Sequence, residues 1–209
     1  MTLLINTPHP VRCQCGAWRG EIAGGGISNH AICYCTDCRA YARLLGRDDL
    51  LDAHGGTEVV QMSPARLRIT AGADQLASVR LTEKGLLRWY AACCNTPIGN
   101  MPATSAVPIM GFIHAVLTPD RIDRDFGERR IIAFAASAIG ATKLRDHGVI
   151  GGIARMLWIA GSGRVHGDHR HNPLFDQHGK PLVMPQIVDA AILSQLKSRD
   201  QSDILHRNP

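Results

Sequence analysis

Seven cysteines stand in three tight clusters: Cys13-Gln14-Cys15, Cys33-Tyr34-Cys35-Thr36-Asp37-Cys38 and Cys93-Cys94. Thiolates one to three residues apart converge readily on one soft metal ion, and zinc usually takes four donors. Seven divides into a closed set of four and an open set of three. A closed set builds a fold; an open set leaves a coordination position for water or substrate.

Composition narrows the setting for these clusters. The 209 residues suffice for one good core, or one core with an appendage. Hydrophobic residues make up 45% and charged residues 20%, the balance of a globular protein. The net charge of +5 is scattered rather than gathered in runs, and aromatics are only 5%, which argues against nucleic-acid binding by a basic patch or by base stacking. The first eight residues lack the basic start and long apolar stretch of a secretory signal. The longest apolar segment, residues 149–160, contains Gly151, Gly152 and Arg155 and is too short for a bilayer, so no membrane association is expected. A reducing cytoplasm is the expected compartment, where clustered cysteines signal metal or redox chemistry rather than disulfides.

The first half reads as short strands and turns. Strand character covers residues 58–62, 67–70, 78–81, 86–90 and 107–117, with turn signals at Gly55-Gly56, Ser63-Pro64 and Gly72. Residues 41–45 form a short helical turn after Cys38. The second half changes character. Residues 128–147 carry Ile132, Ala135, Ala136 and Ile139 at helical spacing and predict a helix; residues 153–159 predict another, closed by Gly161 or Gly163. A polar loop over 165–178 follows, then a short strand or extended segment over 182–185, and residues after Asp200 are expected to fray. The boundary falls near Thr118-Pro119, giving a metal-binding β domain over 1–117 and a helical C-terminal extension over 118–209 packed on it.

Each cluster has a competing reading. Gly16 permits the tight turn that brings Cys13 and Cys15 to one ion, where the alternative is inert buried thiols. Cys33, Cys35 and Cys38 suffice for one face of a zinc ion; the alternative is a redox Cys-x-x-Cys with a spare thiol. Cys93 and Cys94 are neighbours, and neighbours on a regular strand point to opposite faces. Both reach one ion only if the backbone bends, which Asn95-Thr96-Pro97 can supply; otherwise one ligates and the other packs or stays reactive.

The order Cys13-Gln14-Cys15-Gly16, then Cys33-Tyr34-Cys35-Thr36-Asp37-Cys38-Arg39, then Arg88-Trp89-Tyr90-Ala91-Ala92-Cys93-Cys94-Asn95-Thr96-Pro97 resembles the glutathione-dependent formaldehyde-activating (GFA) family over residues 1–115. The resemblance implies a mainly β, Mss4-like fold stapled by zinc. It implies a structural zinc site on Cys13, Cys15 and the late pair Cys93 and Cys94, and a second, labile open site on Cys33, Cys35 and Cys38. The family pattern ends Cys-x-x-Cys-Gly-Thr, whereas here the first of those cysteines falls on Ala91 and an extra one stands at Cys93. Cys93 either takes over the missing role or leaves the structural site one thiolate short.

Other polar residues are candidates of lower specificity. Arg39, Arg43 and Arg47 follow the open cluster at helical spacing, as a basic rim for an anionic thiol or as a solvated helix face. Asp37 orients a ligand or caps a turn. His30 supplies a missing ligand or is a satisfied histidine at a strand end. His166, His169 and His171 form a second metal patch or a solvated loop. Functionally, the resemblance implies that zinc on Cys33, Cys35 and Cys38 activates glutathione to add to formaldehyde, a carbon–sulfur lyase reaction run in its synthetic direction. A zinc-stapled binding module without catalysis is the alternative. A metal-free thiol redox protein is a third reading.

Overall fold

The computed structural model describes residues 7–128, 131–140 and 143–206, with side chains described up to Ser198. Its strands are β1 (His9–Arg12), β2 (Arg19–Ile22), β3 (Asn29–Cys33), β4 (Thr57–Met62), β5 (Leu67–Ala71), β6 (Leu76–Arg80), β7 (Leu87–Ala91), β8 (Thr96–Met101), β9 (Met110–Ile113), β10 (Ile131–Ala133) and β11 (Gln186–Ile187). Its helices are α1 (Thr36–Leu44), α2 (Ile122–Phe126), α3 (Val149–His166) and α4 (Ala190–His206).

The strands form two sheets. β1, β2 and β5 make a small antiparallel sheet, and the rest make an eight-stranded sheet in the order β10-β3-β4-β9-β8-β7-β6-β11. Alternation drives the pairing. β1 buries His9 and Val11 while Pro10 and Arg12 face out, and β2 buries Gly20 and Ile22. The main core lies where the small sheet covers the large one: Val11, Ile22 and Leu67 meet Val60, Met62, Leu87, Ile98, Met110 and Phe112, with Trp18 and Trp89 fully buried among them. Burial of each large apolar side chain contributes about 1.5–3 kcal/mol. The fold is thus mainly β with a helix-containing C-terminal part, as the sequence predicts. Both edges of the large sheet come from that later part: β10 runs parallel to β3, and β11 runs parallel to β6.

The strands expected at 58–62, 67–70, 78–81 and 86–90 become β4, β5, β6 and β7. Residues 107–117 are a strand only over β9, followed by a 3-10 turn over His114–Val116. The helix expected over 128–147 does not form across the described residues. Ile131 to Ala133 instead pair with Ala31 to Cys33, and Ile132 also exchanges hydrogen bonds with His147. Phe134 then takes a left-handed backbone, φ 59°, which ends any regular element. The apolar spacing there serves a sheet edge and a 3-10 turn over Ala135–Ser137. The expected helix at 153–159 is the centre of α3 and stops at neither Gly161 nor Gly163. Gly167, in the left-handed conformation, closes it. Val165 and His166 are therefore helical rather than loop. Residues 182–185 lie outside any strand, just before β11. α4 runs past Asp200 to His206, while residues 1–6 and 207–209 fall outside the described residues.

α1 positions the clusters. Cys35 is its N-cap, so the Cys33-Cys35-Cys38 segment is the joint between the end of β3 and the first turn of the helix. Tyr41 on α1 donates its hydroxyl to the Trp89 carbonyl at 2.7 Å, tying the helix to β7. Nine residues give α1 a length of about 13 Å, and Arg47, just past its other end, reaches Thr96 beside the third cysteine cluster.

Candidate metal centres

The seven cysteines, all free thiols, gather into two groups. Cys13, Cys15, Cys93 and Cys94 form one, and Cys33, Cys35 and Cys38 the other; within each group the sulfurs lie within 4.8 Å of one another. Among the described residues no further group of three or more metal-ligating side chains converges in this way.

The group of four is built by two turns. Gly16, φ 77°, lets its N–H reach the Cys13 carbonyl at 3.0 Å, while the Cys13 N–H bonds to the Trp18 carbonyl at 3.0 Å. This closes the first knuckle, and the Trp18 N–H then donates to Cys13 Sγ at 3.3 Å. The second knuckle is the turn between β7 and β8. The register slips between Trp89 and Tyr90, and Asn95 sits at φ 53°, so the chain bends sharply through Cys93-Cys94. The bend turns both neighbouring sulfurs toward the first knuckle. Cys13 lies 3.5 Å from Cys15 and 3.6 Å from Cys93; Cys15 to Cys93 is 3.3 Å, and Cys93 to Cys94 is 3.7 Å. A zinc–sulfur distance of about 2.3 Å puts tetrahedral sulfurs about 3.8 Å apart, so the donor set fits a tetrahedral thiolate-bound ion. Thr96, buried, staples the two turns. Its Oγ1 accepts the Gln14 N–H at 3.0 Å and lies 3.1 Å from Cys94 Sγ. Burial raises the Cys94 pKa, but the Thr96 hydroxyl and the Cys15 and Cys13 groups outweigh it and pull the thiol down to about 6. Cys93 is pushed up, by burial first and then by donation to Cys15, Cys13 and Cys94.

The group of three is tighter in sequence and poorer in partners. Cys38 Sγ lies 3.8 Å from Cys33 Sγ, and Cys35 Sγ accepts the Cys38 N–H at 3.4 Å as the helix cap. Cys38 is buried and the other two are half-buried. Cys35 is held far below the usual thiol range, by hydrogen bonds from Cys33 and then Cys38, with the Arg88 charge nearby. Cys33 is pushed up to about 11 because its thiol donates to Cys35, and Cys38 is pushed up by donation first to Cys33 and then to Cys35, with burial adding to it. Cys35 Sγ thus sits at a helix N-terminus as the acceptor of its neighbours' donors, a setting that favours its thiolate.

The basic rim expected around this trio does not form. Arg39 is buried and donates to the Tyr34 carbonyl and the Ser137 carbonyl, each at 2.7 Å. Tyr34 lies between Cys33 and Cys35, so Arg39 clamps the backbone of the cysteine segment instead of facing a ligand. Arg43 is buried too, bonding the Leu196 carbonyl of α4 at 2.9 Å and Asp48 at 3.3 Å. Arg47 sits at the other cluster, paired with Asp49 at 2.8 Å. Helical spacing holds for Arg39 and Arg43, while Arg47 lies past the end of α1; the helix is covered by α4 and by the loop after β10, so its basic face is interior. Asp37 neither orients a ligand nor caps the turn; it pairs with Lys197 of α4 at 2.7 Å. His30 is a buried, satisfied histidine, 2.6 Å from Glu58 and 2.9 Å from the Gly127 carbonyl. His166 bonds the Ser162 carbonyl in the last turn of α3, and His169 contacts Arg164; neither converges with His171 on an ion.

Two contributors escaped the sequence reading. Thr96 appears there only as a turn residue. Arg88 appears only as part of a motif, yet it is buried over the Tyr41 ring at 5.2 Å, with Nη1 on Asn100 at 3.1 Å and no partner for Nε among the described residues. Its charge near Cys35 is legible only once β7 and α1 are packed together.

Fold and site together define a mainly β protein with two cysteine-built candidate metal centres. The chain belongs to a family of unknown function, DUF6151, which residues 5–185 match. That match runs well beyond the 115 residues over which the cysteine order resembles the GFA family. No curated protein matches. A crystal structure of a Rhodobacter sphaeroides protein from structural genomics is similar at 22% identity and a TM-score of 0.39, covering 58% of this chain and 97% of that one.

Proposed function

We propose that the chain is a zinc protein of carbon–sulfur chemistry, with one closed structural site and one open site that takes an external thiol. The carrying observation is the unequal division of the sulfurs: four in one group, three in the other, with no fourth protein donor beside Cys33, Cys35 and Cys38 among the described residues. In this reading Cys13, Cys15, Cys93 and Cys94 hold the structural ion, and Cys33, Cys35 and Cys38 the labile one. Zinc at the trio would supply Lewis acidity that keeps a bound thiol ionised near neutral pH. The chain's own residues do the rest. Arg39 fixes the cysteine segment through the Tyr34 carbonyl, and buried Arg88 offsets the negative charge of the sulfurs. By resemblance the thiol is glutathione and the electrophile formaldehyde. The thiol sulfur bonds to the carbonyl carbon, the carbonyl π bond opens, and the thiol proton ends on oxygen, giving S-hydroxymethylglutathione.

A second reading, a zinc-stabilised binding module, is favoured by one observation. α4 packs on α1 through Leu193 and Leu196 against Ala40, and the Lys197–Asp37 pair sits inside the cysteine segment. The extension thereby covers part of the surface where a substrate would approach. Calorimetric titration of zinc-loaded protein with glutathione, with S-methylglutathione as control, separates the two. Binding of glutathione alone, followed by formaldehyde consumption, supports the enzyme. No binding at millimolar glutathione with both sites filled overturns it in favour of the module.

A further inference from the structure

α3 is inverted relative to an ordinary surface helix. The face it turns to the sheet carries Gly152, Ile159 and Gly163, and its large apolar side chains point outward. A Cβ on Gly152 would stand 2.7 Å from Ile131 Cδ1, and one on Gly163 3.0 Å from Pro108, so small residues are what allow the helix to lie so close. On the opposite face, Ile150 is 87% exposed, Ile153 49%, Leu157 and Trp158 63% each, and Val165 84%. An ordinary amphipathic helix buries such a stripe. Contiguous exposed apolar surface of this size marks an interaction site.

We propose that this face is a homodimer interface, on which α3 packs antiparallel against α3 of a second copy. The occupant follows from the order of residues along the stripe: Ile150, Ala154, Leu157, Trp158, Gly161, Val165. Read in the opposite direction, these six positions repeat the same order of large and small residues, with Ile153 outside the repeat. A two-fold axis between Leu157 and Trp158 sets Ile150 against Val165, Ala154 against Gly161, and Leu157 against Trp158, while Ile153, at the margin of the stripe, falls against Ser162. Such a self-complementary patch is what a closed two-fold interface requires, and what a lipid surface or an unrelated protein does not. Gly161 and Gly151 have open space where a side chain would stand, so the two helices can approach closely. The same axis sets Arg164 of one copy against Gly151 of the other. The five exposed large side chains present on the order of 700 Å² per chain, near the ~800 Å² each partner contributes to a standard interface. From Val149 to His166 the helix carries no carboxylate, and its only arginines are Arg155 and Arg164, so the centre of the contact is free of buried charge.

The test is sedimentation of the full, metal-loaded chain at about 50 µM, a concentration at which an interface of standard size is assembled. The expected mass is twice 22.7 kDa. Leu157→Glu, at an exposed position, should keep the parent's far-UV circular dichroism and raise the dimer dissociation constant at least about 100-fold, with the melting temperature falling only by the lost association. Ile150→Lys and Val165→Glu should each weaken the dimer by about tenfold, and the double variant should return to within about threefold of the parent, because only the antiparallel register places the opposite charges together. Should Leu157→Glu fail to fold, the Ile150 and Val165 series decides alone. A monomeric parent, single substitutions without effect, or a double variant weaker than both singles overturns the proposal. A monomer that binds phosphatidylglycerol vesicles overturns it in favour of a membrane surface.

Discussion

Asn95 is where the backbone makes the group of four. Its side chain is exposed, and its φ of 53° is the bend that lets Cys93 and Cys94 face the same centre. Substitution there therefore reads backbone strain and little else. A left-handed conformation costs an ordinary L-residue about 1–2 kcal/mol, glycine almost nothing, and a β-branched residue the most. Asn95→Gly should match the parent within about 0.5 kcal/mol, Asn95→Ala should lose about 1, and Asn95→Val about 2. Because the strain is met only when both sulfurs converge, the same energy appears in metal affinity. A loss of 2 kcal/mol is about a 30-fold weaker site. The assay pairs urea unfolding of zinc-loaded protein with zinc competition against a chromophoric chelator. An Asn95→Val variant that equals the parent in both would refute the reasoning, since the turn would then not need this residue's conformation to gather four sulfurs.

Arg39→Ala should destabilise the chain by about 3 kcal/mol, since two carbonyls lose a charged donor, and should weaken metal binding at the Cys33, Cys35 and Cys38 group by about tenfold while sparing the other; metal-resolved titration of the variant checks it. Cys13→Ser should lower melting temperature and zinc content together, whereas Cys35→Ser should lose metal with the fold intact; equal unfolding of the two variants would contradict the division into structural and open sites. His9 is fully buried, accepting the Thr118 N–H and lying 2.7 Å from Asp125, and burial holds its pKa below 6.5. The unfolded chain then binds the proton first, so its contribution to stability is complete above about pH 6.5 and falls as pH drops through that value, by at most about 1.4 kcal/mol per pH unit. Melting curves from pH 7.5 to 5 should therefore be steeper for the parent than for His9→Gln, and equal slopes would contradict this.

The cysteine groups and most strands were legible because their signals are local: thiol spacing, Gly16 and Asn95 at the turns, β-branched strand character in β4, and the alternation of residues 78–81 around β6. The failures share one physical cause, tertiary contacts that override or reuse a local pattern. The spacing of Ile132, Ala135, Ala136 and Ile139 fits a helix, yet the free edge of β3 captures Ile131–Ala133, and the left-handed Phe134 cannot be read from its identity. The arginines of α1 have the spacing of a solvated face, and only the arrival of α4 and the loop around Ser137 makes that face interior. Gly163 reads as a helix stop but is a packing contact, and Gly167, about one turn further on, closes the helix instead. Thr96 and Arg88 act through partners far away in sequence, Gln14 and Cys35, so no local signal marks them.

The central claim is two metal centres of unequal closure, and zinc X-ray absorption on protein of known metal content tests it most directly. Two zinc ions per chain are expected, with about 3.5 sulfur donors per zinc on average, rising to about 4 when glutathione is added. One zinc per chain, or a sulfur count that glutathione leaves unchanged, would contradict it.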